Sequence, residues 1–128
     1  MKAAILVEQN KPLVLADIDV PNLGVGQVLV QVKYSGICGK QIDEIQGRRY
    51  DPYLPHLLGH EGGGIVRQVG DGVTKVQPGD HVVLHWMKGS GIESAPPRFQ
   101  WNDKTVSAGW VTTFSEYTIA SENRLTRI

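Results

Sequence analysis

Two short segments of the sequence contain residue types that bind metals or act as nucleophiles. Cys38 lies in Ser35–Gly39, and His60 lies beside Glu61 in the glycine-rich run Gly59–Gly64. A thiolate and an imidazole together form the mixed ligand set that zinc accepts. Each segment alone also permits a structural interpretation, a buried thiol in the first and a turn histidine that caps a backbone carbonyl in the second.

Short β-branched runs between glycine and proline residues must position these side chains. The sequence has 15 Gly and 7 Pro, and apolar residues alternate through Val28–Lys33, the period of a strand with one buried face. Only Gly39–Gln46 is typical of a helix, which Gly47 would end. The pattern predicts an all-β barrel or sandwich, with strands at Ala3–Val7, Leu13–Val20, Gln27–Tyr34, Gly64–Val69, His81–Leu84 and Thr113–Ile119.

Composition excludes several classes of protein. The 128 residues carry 13 basic and 13 acidic side chains, so no concentrated positive field predicts nucleic acid or an anionic membrane as a partner. No run approaches the roughly 20 apolar residues of a membrane helix. Cys38 is the only cysteine, which excludes an internal disulfide and fits a reducing cytoplasm.

The glycine run Gly62–Gly64 is a poor match to a dinucleotide-phosphate loop. Such a loop follows a strand and opens a helix, whereas this run follows a predicted loop and precedes a predicted strand. We therefore expect no cofactor-binding residues within the chain.

Ordered motifs along nearly the whole chain resemble those of zinc-containing medium-chain alcohol dehydrogenases. The Gly-His-Glu triplet at residues 59–61 is followed by Gly64, Gly70 and Val73 at the spacing of that family's signature. The other segments that resemble family positions are Met1–Ala4, Gly36–Gly39, Val76–Val82 and Phe114–Tyr117.

The resemblance implies that residues 1–128 are a GroES-like catalytic domain, a partly open and mainly β barrel with one or two short helices. It also implies that Cys38 and His60 bind the catalytic zinc, with Glu61 beside the metal or exchanging into its coordination sphere. The third protein ligand and the Rossmann domain that binds NAD or NADP would lie outside this chain. With two ligands and Glu61, the chain alone is expected to bind zinc weakly and to be inactive.

What the resemblance implies for the complete protein is an oxidoreductase that interconverts a small alcohol and a carbonyl compound by hydride transfer. Its partners would be the substrate, its own Rossmann domain and further copies of itself in a homo-oligomer. Two alternatives stay open: a GroES-like binding or co-assembly module without metal, and a zinc-free relative of the quinone reductases.

The sequence departs from the family pattern in two places. Lys40 replaces the hydroxyl residue of the family's proton relay, and Asp43 replaces the histidine of that relay. Two interpretations of Lys40 stay open: it acts as a general acid/base, or it faces solvent or pairs with a carboxylate while another group carries the proton. No cysteine follows Cys38, so the family's structural zinc is not expected.

The segment Met87–Val111 is predicted to be a long excursion between two strands. Trp86, which precedes it, is expected to form either a wall of the substrate pocket or a cap on the barrel.

Overall fold

A computed structural model describes all residues, 1–128, and arranges ten strands in two five-stranded sheets. The first sheet has the order β2-β1-β4-β8-β7 and the second has the order β10-β6-β5-β3-β9. The predicted mainly β fold is therefore confirmed. The strands are β1 (Lys2–Leu6), β2 (Val14–Asp17), β3 (Gln27–Ser35), β4 (His56–Leu57), β5 (Glu61–Val69), β6 (His81–His85), β7 (Arg98–Trp101), β8 (Lys104–Ser107), β9 (Tyr117–Ser121) and β10 (Leu125–Arg127).

Boundaries differ from the sequence prediction by more than one residue in three strands, of which β2 covers only Val14–Asp17 of the predicted Leu13–Val20. Strand β5 begins at Glu61 rather than Gly64, because the glycines are paired with β3 on one side and with β6 on the other. Strand β9 begins at Tyr117 rather than Thr113, because the N–H groups of Thr113 and Phe114 both donate to the carbonyl of Leu58. The predicted strand at the latter site was thus wrong for its first four residues.

The predicted helix is confirmed as α1, Gly39–Ile45, and Cys38 is its N-cap residue. Gly47 follows with φ 71°, a left-handed conformation that favours glycine after a helix. A short 3-10 turn at Glu122–Arg124 is the other helical element. No helix has the length and apolar character required to cross a bilayer.

The segment Met87–Val111 was predicted as a long excursion, but its second half is part of the first sheet. Strands β7 and β8 form a hairpin, and Ser107 of β8 pairs in parallel with His56 of β4. Phe99 and Val106 from this hairpin are buried in the core beneath that sheet. Buried aromatic and β-branched side chains therefore pack the second half of Met87–Val111 against the core, in a segment that contains no cysteine.

The first half of that segment is anchored by Glu122, whose side chain is 2% exposed. Its carboxylate accepts backbone N–H groups from Thr74, Lys75 and Ile92 at 2.9–3.1 Å. Burial raises the pKa of Glu122, but the N–H groups of Ile92, Lys75 and Thr74 lower it by more, so the net pKa lies below its ordinary value of 4.5.

Close packing of β5 against β3 predicts that Gly64 tolerates no side chain. A Cβ at Gly64 would overlap the carbonyl oxygen of Gln31. We expect Gly64→Ala to lower the free energy of unfolding in denaturant by about 1–3 kcal/mol. Gly39→Ala is the control, since no atom lies within 4 Å of a Cβ there, and equal losses in both variants would contradict the packing argument.

Glu122 also predicts the acid sensitivity of the fold. Because its pKa is lower in the folded chain, the carboxylate contributes stability above about pH 4.5, and this contribution is lost as the pH falls through the lowered folded pKa. We expect Glu122→Gln to lower the free energy of unfolding near pH 7 by about 1–3 kcal/mol and to flatten its decline in acid. Glu8→Gln, at an exposed position, serves as the control, and an unchanged acid profile in the Glu122 variant would refute the assignment.

Candidate metal centre

The pairing of β3 with β5 brings the two predicted metal ligands together. Ser35, at the end of β3, is opposite Gly62, and the N–H of Gly36 donates to the carbonyl of Glu61 at 3.0 Å. Cys38 follows on the first strand and His60 precedes the second. Cys38 Sγ and His60 Nε2 consequently lie 3.4 Å apart, and both side chains are half-buried.

This separation fits two ligands of one tetrahedral zinc. Typical Zn–S and Zn–N bonds of about 2.3 and 2.05 Å at a tetrahedral angle place sulfur and nitrogen about 3.6 Å apart. The Sγ–Nε2 distance of 3.4 Å is close to that value. The thiol and the imidazole therefore need little movement to share a metal ion.

Gln41 connects the two residues and was not predicted from the sequence. Its side chain is 1% exposed, its Oε1 accepts the backbone N–H of Cys38 at 2.9 Å, and its Nε2 lies 2.5 Å from His60 Nδ1. The available signal was its place three residues after the N-cap, where a Gln side chain reaches back to the N-cap N–H. Gln41 thus fixes the ring of the histidine that faces the thiol.

The amide of Gln41 also selects a tautomer of His60. With Oε1 held by Cys38 N–H, the amide nitrogen donates to Nδ1, and a neutral ring then carries its proton on Nε2, toward Cys38 Sγ. Metal binding through Nε2 requires the proton on Nδ1 instead, where it needs an acceptor. We therefore predict that the side chain at position 41 influences metal affinity.

Glu61, Lys40 and Trp86 lie around this pair without contacting it as ligands. The carboxylate of Glu61 is against Gly36, and its oxygens do not form a compact three-ligand group with Cys38 and His60. Lys40 is exposed and forms no ion pair, while Asp43 pairs with Arg48 at 3.0 Å. Trp86 is 60% exposed.

An open cleft of about 1250 Å³ runs beside His60. Its walls combine the polar face of α1 with exposed aromatic rings, and they include Lys40, Asp43, Trp86 and Trp110. The lining of the cleft thus combines apolar aromatic surface with charged groups. A small molecule with a polar end and an apolar body fits this distribution.

Arg124 holds the aromatic wall and was also missed from the sequence. Its side chain is 5% exposed, its guanidinium lies 4.9 Å from the ring centroid of Trp110, and it donates to the carbonyl of Trp86. It also pairs with Glu93 at 2.5 Å. Hydrogen bonds from Lys88 and Arg124 lower the pKa of the Glu93 carboxyl.

The two curled sheets, with a cysteine and a histidine at adjoining strand ends, define a GroES-like domain with a candidate metal centre. The family model described as "Alcohol dehydrogenase GroES-like domain" matches residues 24–128. The chain belongs to this family.

Curated relatives agree with that assignment. The chain is 33% identical to S-(hydroxymethyl)glutathione dehydrogenase of Synechocystis, with 99% of this chain and 41% of the relative covered. It is 44% identical over 82 residues to alcohol dehydrogenase class-3 of Dictyostelium discoideum, which covers 64% of this chain and 22% of that protein. The chain thus spans about 41% of the length of the first relative.

Solved structures show the same fold. The alcohol dehydrogenase of Aeropyrum pernix superposes with a TM-score of 0.74 at 28% identity, covering 100% of this chain and 40% of that one. Benzyl alcohol dehydrogenase of Acinetobacter calcoaceticus superposes with a TM-score of 0.80 at 25% identity, with 99% and 40% covered.

The role of Gln41 predicts different effects for two substitutions. Gln41→Glu offers only acceptor oxygens, so the His60 proton moves to Nδ1 and the Nε2 lone pair is free; we expect metal binding about tenfold tighter. Gln41→Leu removes the donor that opposes this tautomer together with the contact that orients the ring, so its affinity is expected to lie about tenfold below that of Gln41→Glu. Titration with Co²⁺, followed by thiolate-to-cobalt charge-transfer absorption, measures both effects.

Gln46→Leu is the matched control on the same helix, because Gln46 contacts only Arg48 through its side chain. If Gln41→Glu bound cobalt more weakly than the unsubstituted chain, the tautomer argument would be wrong.

Proposed function

We propose that this chain is the zinc-site domain of an alcohol dehydrogenase-like oxidoreductase that interconverts an alcohol and a carbonyl compound with NAD or NADP. The observation that carries the proposal is the 3.4 Å separation of Cys38 Sγ and His60 Nε2 at the edge of the open cleft. Family membership supports this reaction class, and one of the relatives is itself named an alcohol dehydrogenase.

Cys38 Sγ and His60 Nε2 are the atoms that would hold a catalytic zinc, and Glu61 would act as a neighbouring or exchangeable carboxylate. A bound zinc supplies Lewis acidity, which stabilises negative charge on the substrate oxygen during hydride transfer. Gln41 orients the imidazole and holds the N-cap of α1, so the two ligands approach from fixed elements. The third protein ligand and the hydride acceptor belong to the complete protein.

Within the cleft, Trp86 and Trp110 form the apolar side against which the body of a small alcohol packs. Arg124 fixes both by cation–π contact and by a hydrogen bond to the Trp86 carbonyl. Lys40 lies at the position of the family's relay hydroxyl, and its Nζ can carry a proton between the cleft and solvent. This assigns proton transfer to an exposed ammonium group rather than to a hydroxyl.

The complete protein would also contain a Rossmann domain for NAD or NADP and would form a homo-oligomer in the cytoplasm. Nucleic acid and membranes are not proposed as partners. We propose no structural zinc, because Cys38 is the only cysteine and the segment after Trp86 is held by Glu122 and Arg124.

A zinc-free reductase is the principal competing function. The quinone oxidoreductase of Pseudomonas syringae superposes with a TM-score of 0.72 at 25% identity, covering 100% of this chain and 34% of that one. A metal-free binding module is the other alternative. Neither requires a thiol and an imidazole nitrogen at ligand separation, and this pair therefore favours the dehydrogenase.

Spectroscopy with Co²⁺ tests the proposal, because a thiolate ligand gives a charge-transfer band that oxygen and nitrogen ligands do not. We expect weak binding that shows this band, its loss in Cys38→Ser, and affinity at least tenfold lower in His60→Ala. His81→Ala, at an exposed histidine outside the cleft, is the control. Absence of the band in the unsubstituted protein would favour the metal-free functions.

A further inference from the structure

A second group of metal-binding side chains lies in the same cleft, apart from Cys38 and His60. Glu44 extends from the last turn of α1, Asp51 from the loop after it, and His56 from β4. One ligand atom from each lies within 4.8 Å of the others. Their side chains are only 28%, 11% and 12% exposed, respectively, and all three line the cleft.

Backbone groups outside this cluster orient two of its members. His56 Nδ1 lies 2.8 Å from the carbonyl oxygen of Leu57, and because a carbonyl only accepts, Nδ1 carries a proton. Asp51 Oδ1 accepts the N–H of Tyr53 at 2.9 Å, which directs Oδ2 toward the ring. Metal-binding histidines and carboxylates are typically held by outer hydrogen bonds of this kind.

His56 Nε2 therefore faces two acceptors. It contacts Asp51 Oδ2 and lies 4.0 Å from Glu44 Oε2. With Nδ1 protonated, a neutral ring directs a lone pair at these carboxylate oxygens, an arrangement that repels unless a proton bridges the atoms or a metal cation binds them. Either species can enter from the open cleft.

The net charge of the cluster favours a divalent metal cation over a proton at this position. No lysine or arginine forms an ion pair with Glu44 or Asp51, and the nearby Arg48 is paired with Asp43. Even a protonated His56 leaves the cluster with a net charge of −1, in a site that is mostly shielded from water. A divalent cation balances both carboxylates and also accepts the imidazole lone pair.

We propose that Glu44, Asp51 and His56 form a second metal site, for a divalent cation that accepts nitrogen and oxygen ligands, such as Zn²⁺ or Mn²⁺. The site has three protein ligands and no thiolate, whereas the Cys38–His60 pair supplies two ligands. A metal here links α1 to the loop and to β4. The proposal is independent of the dehydrogenase function.

Metal binding at the second site can be measured by itself in a variant that lacks the Cys38–His60 pair. In the double variant Cys38→Ser/His60→Ala, we expect Co²⁺ to bind with one equivalent and without the thiolate charge-transfer band. Adding His56→Gln to that variant should lower the affinity at least tenfold, as should adding Glu44→Gln. Asp43→Asn is the matched control, a carboxylate on the same helix that is paired with Arg48, and it should leave the affinity unchanged.

Glu44→Gln keeps the contact between His56 and Asp51 and removes only the longer pairing of His56 with Glu44 at 4.0 Å. Circular dichroism checks that each variant is folded. The proposal is overturned if the double variant binds no cobalt, or if His56→Gln and Glu44→Gln leave its affinity unchanged. The cluster is then an ion pair that binds a proton only. Failure of the Cys38 site would instead appear as a missing charge-transfer band with the second equivalent retained.

Discussion

The antiparallel pairing of β3 with β5 is the constraint on which the candidate metal centre depends. It places Ser35 opposite Gly62, and so the residues just beyond the two strands, Cys38 and His60, meet although 22 positions separate them in sequence. The pairing is close because β5 carries glycines where side chains would overlap the neighbouring backbone. The glycine run therefore serves sheet packing, and the ligand geometry follows from it.

Those features of the fold that are local in sequence could be predicted. The alternation in Val28–Lys33 predicted β3, and its even-numbered residues Val28 and Val30 are fully buried. The helix was predicted over Gly39–Gln46 with Gly47 after its end, and the structure has α1 at Gly39–Ile45 followed by Gly47 in a left-handed conformation. One local feature, the β7–β8 hairpin, was missed although Arg98–Trp101 alternates polar and apolar residues before a tight turn. Its parallel pairing with β4 joins residues some 50 positions apart, and local periodicity contains no information about such a contact.

The site was predictable to a similar extent. Cys38 and His60 are residue types that zinc accepts together, and the resemblance of their segments to a dehydrogenase family singled them out as candidate ligands. Gln41 and Arg124 act through contacts instead: an amide that bridges a helix N-cap and an imidazole, and a guanidinium that holds two tryptophans. Glutamine and arginine are common surface residues, and only the fold shows that both are buried here.

Helix α1 concentrates the differences from the family pattern. Gly39, Lys40, Gln41, Asp43 and Glu44 all line the cleft, so this helix presents an ammonium group and carboxylates where a hydroxyl and an imidazole relay is usual. Compared with the family's relay, the cleft again contains groups that exchange protons, but the charges of those groups differ. Because Asp43 is paired with Arg48 at the exposed rim, Lys40 is the α1 side chain left without an ion-pair partner beside Cys38. If the proposed function holds, Lys40 would place a positive charge beside Cys38 and His60, which would favour a substrate oxygen that becomes negative.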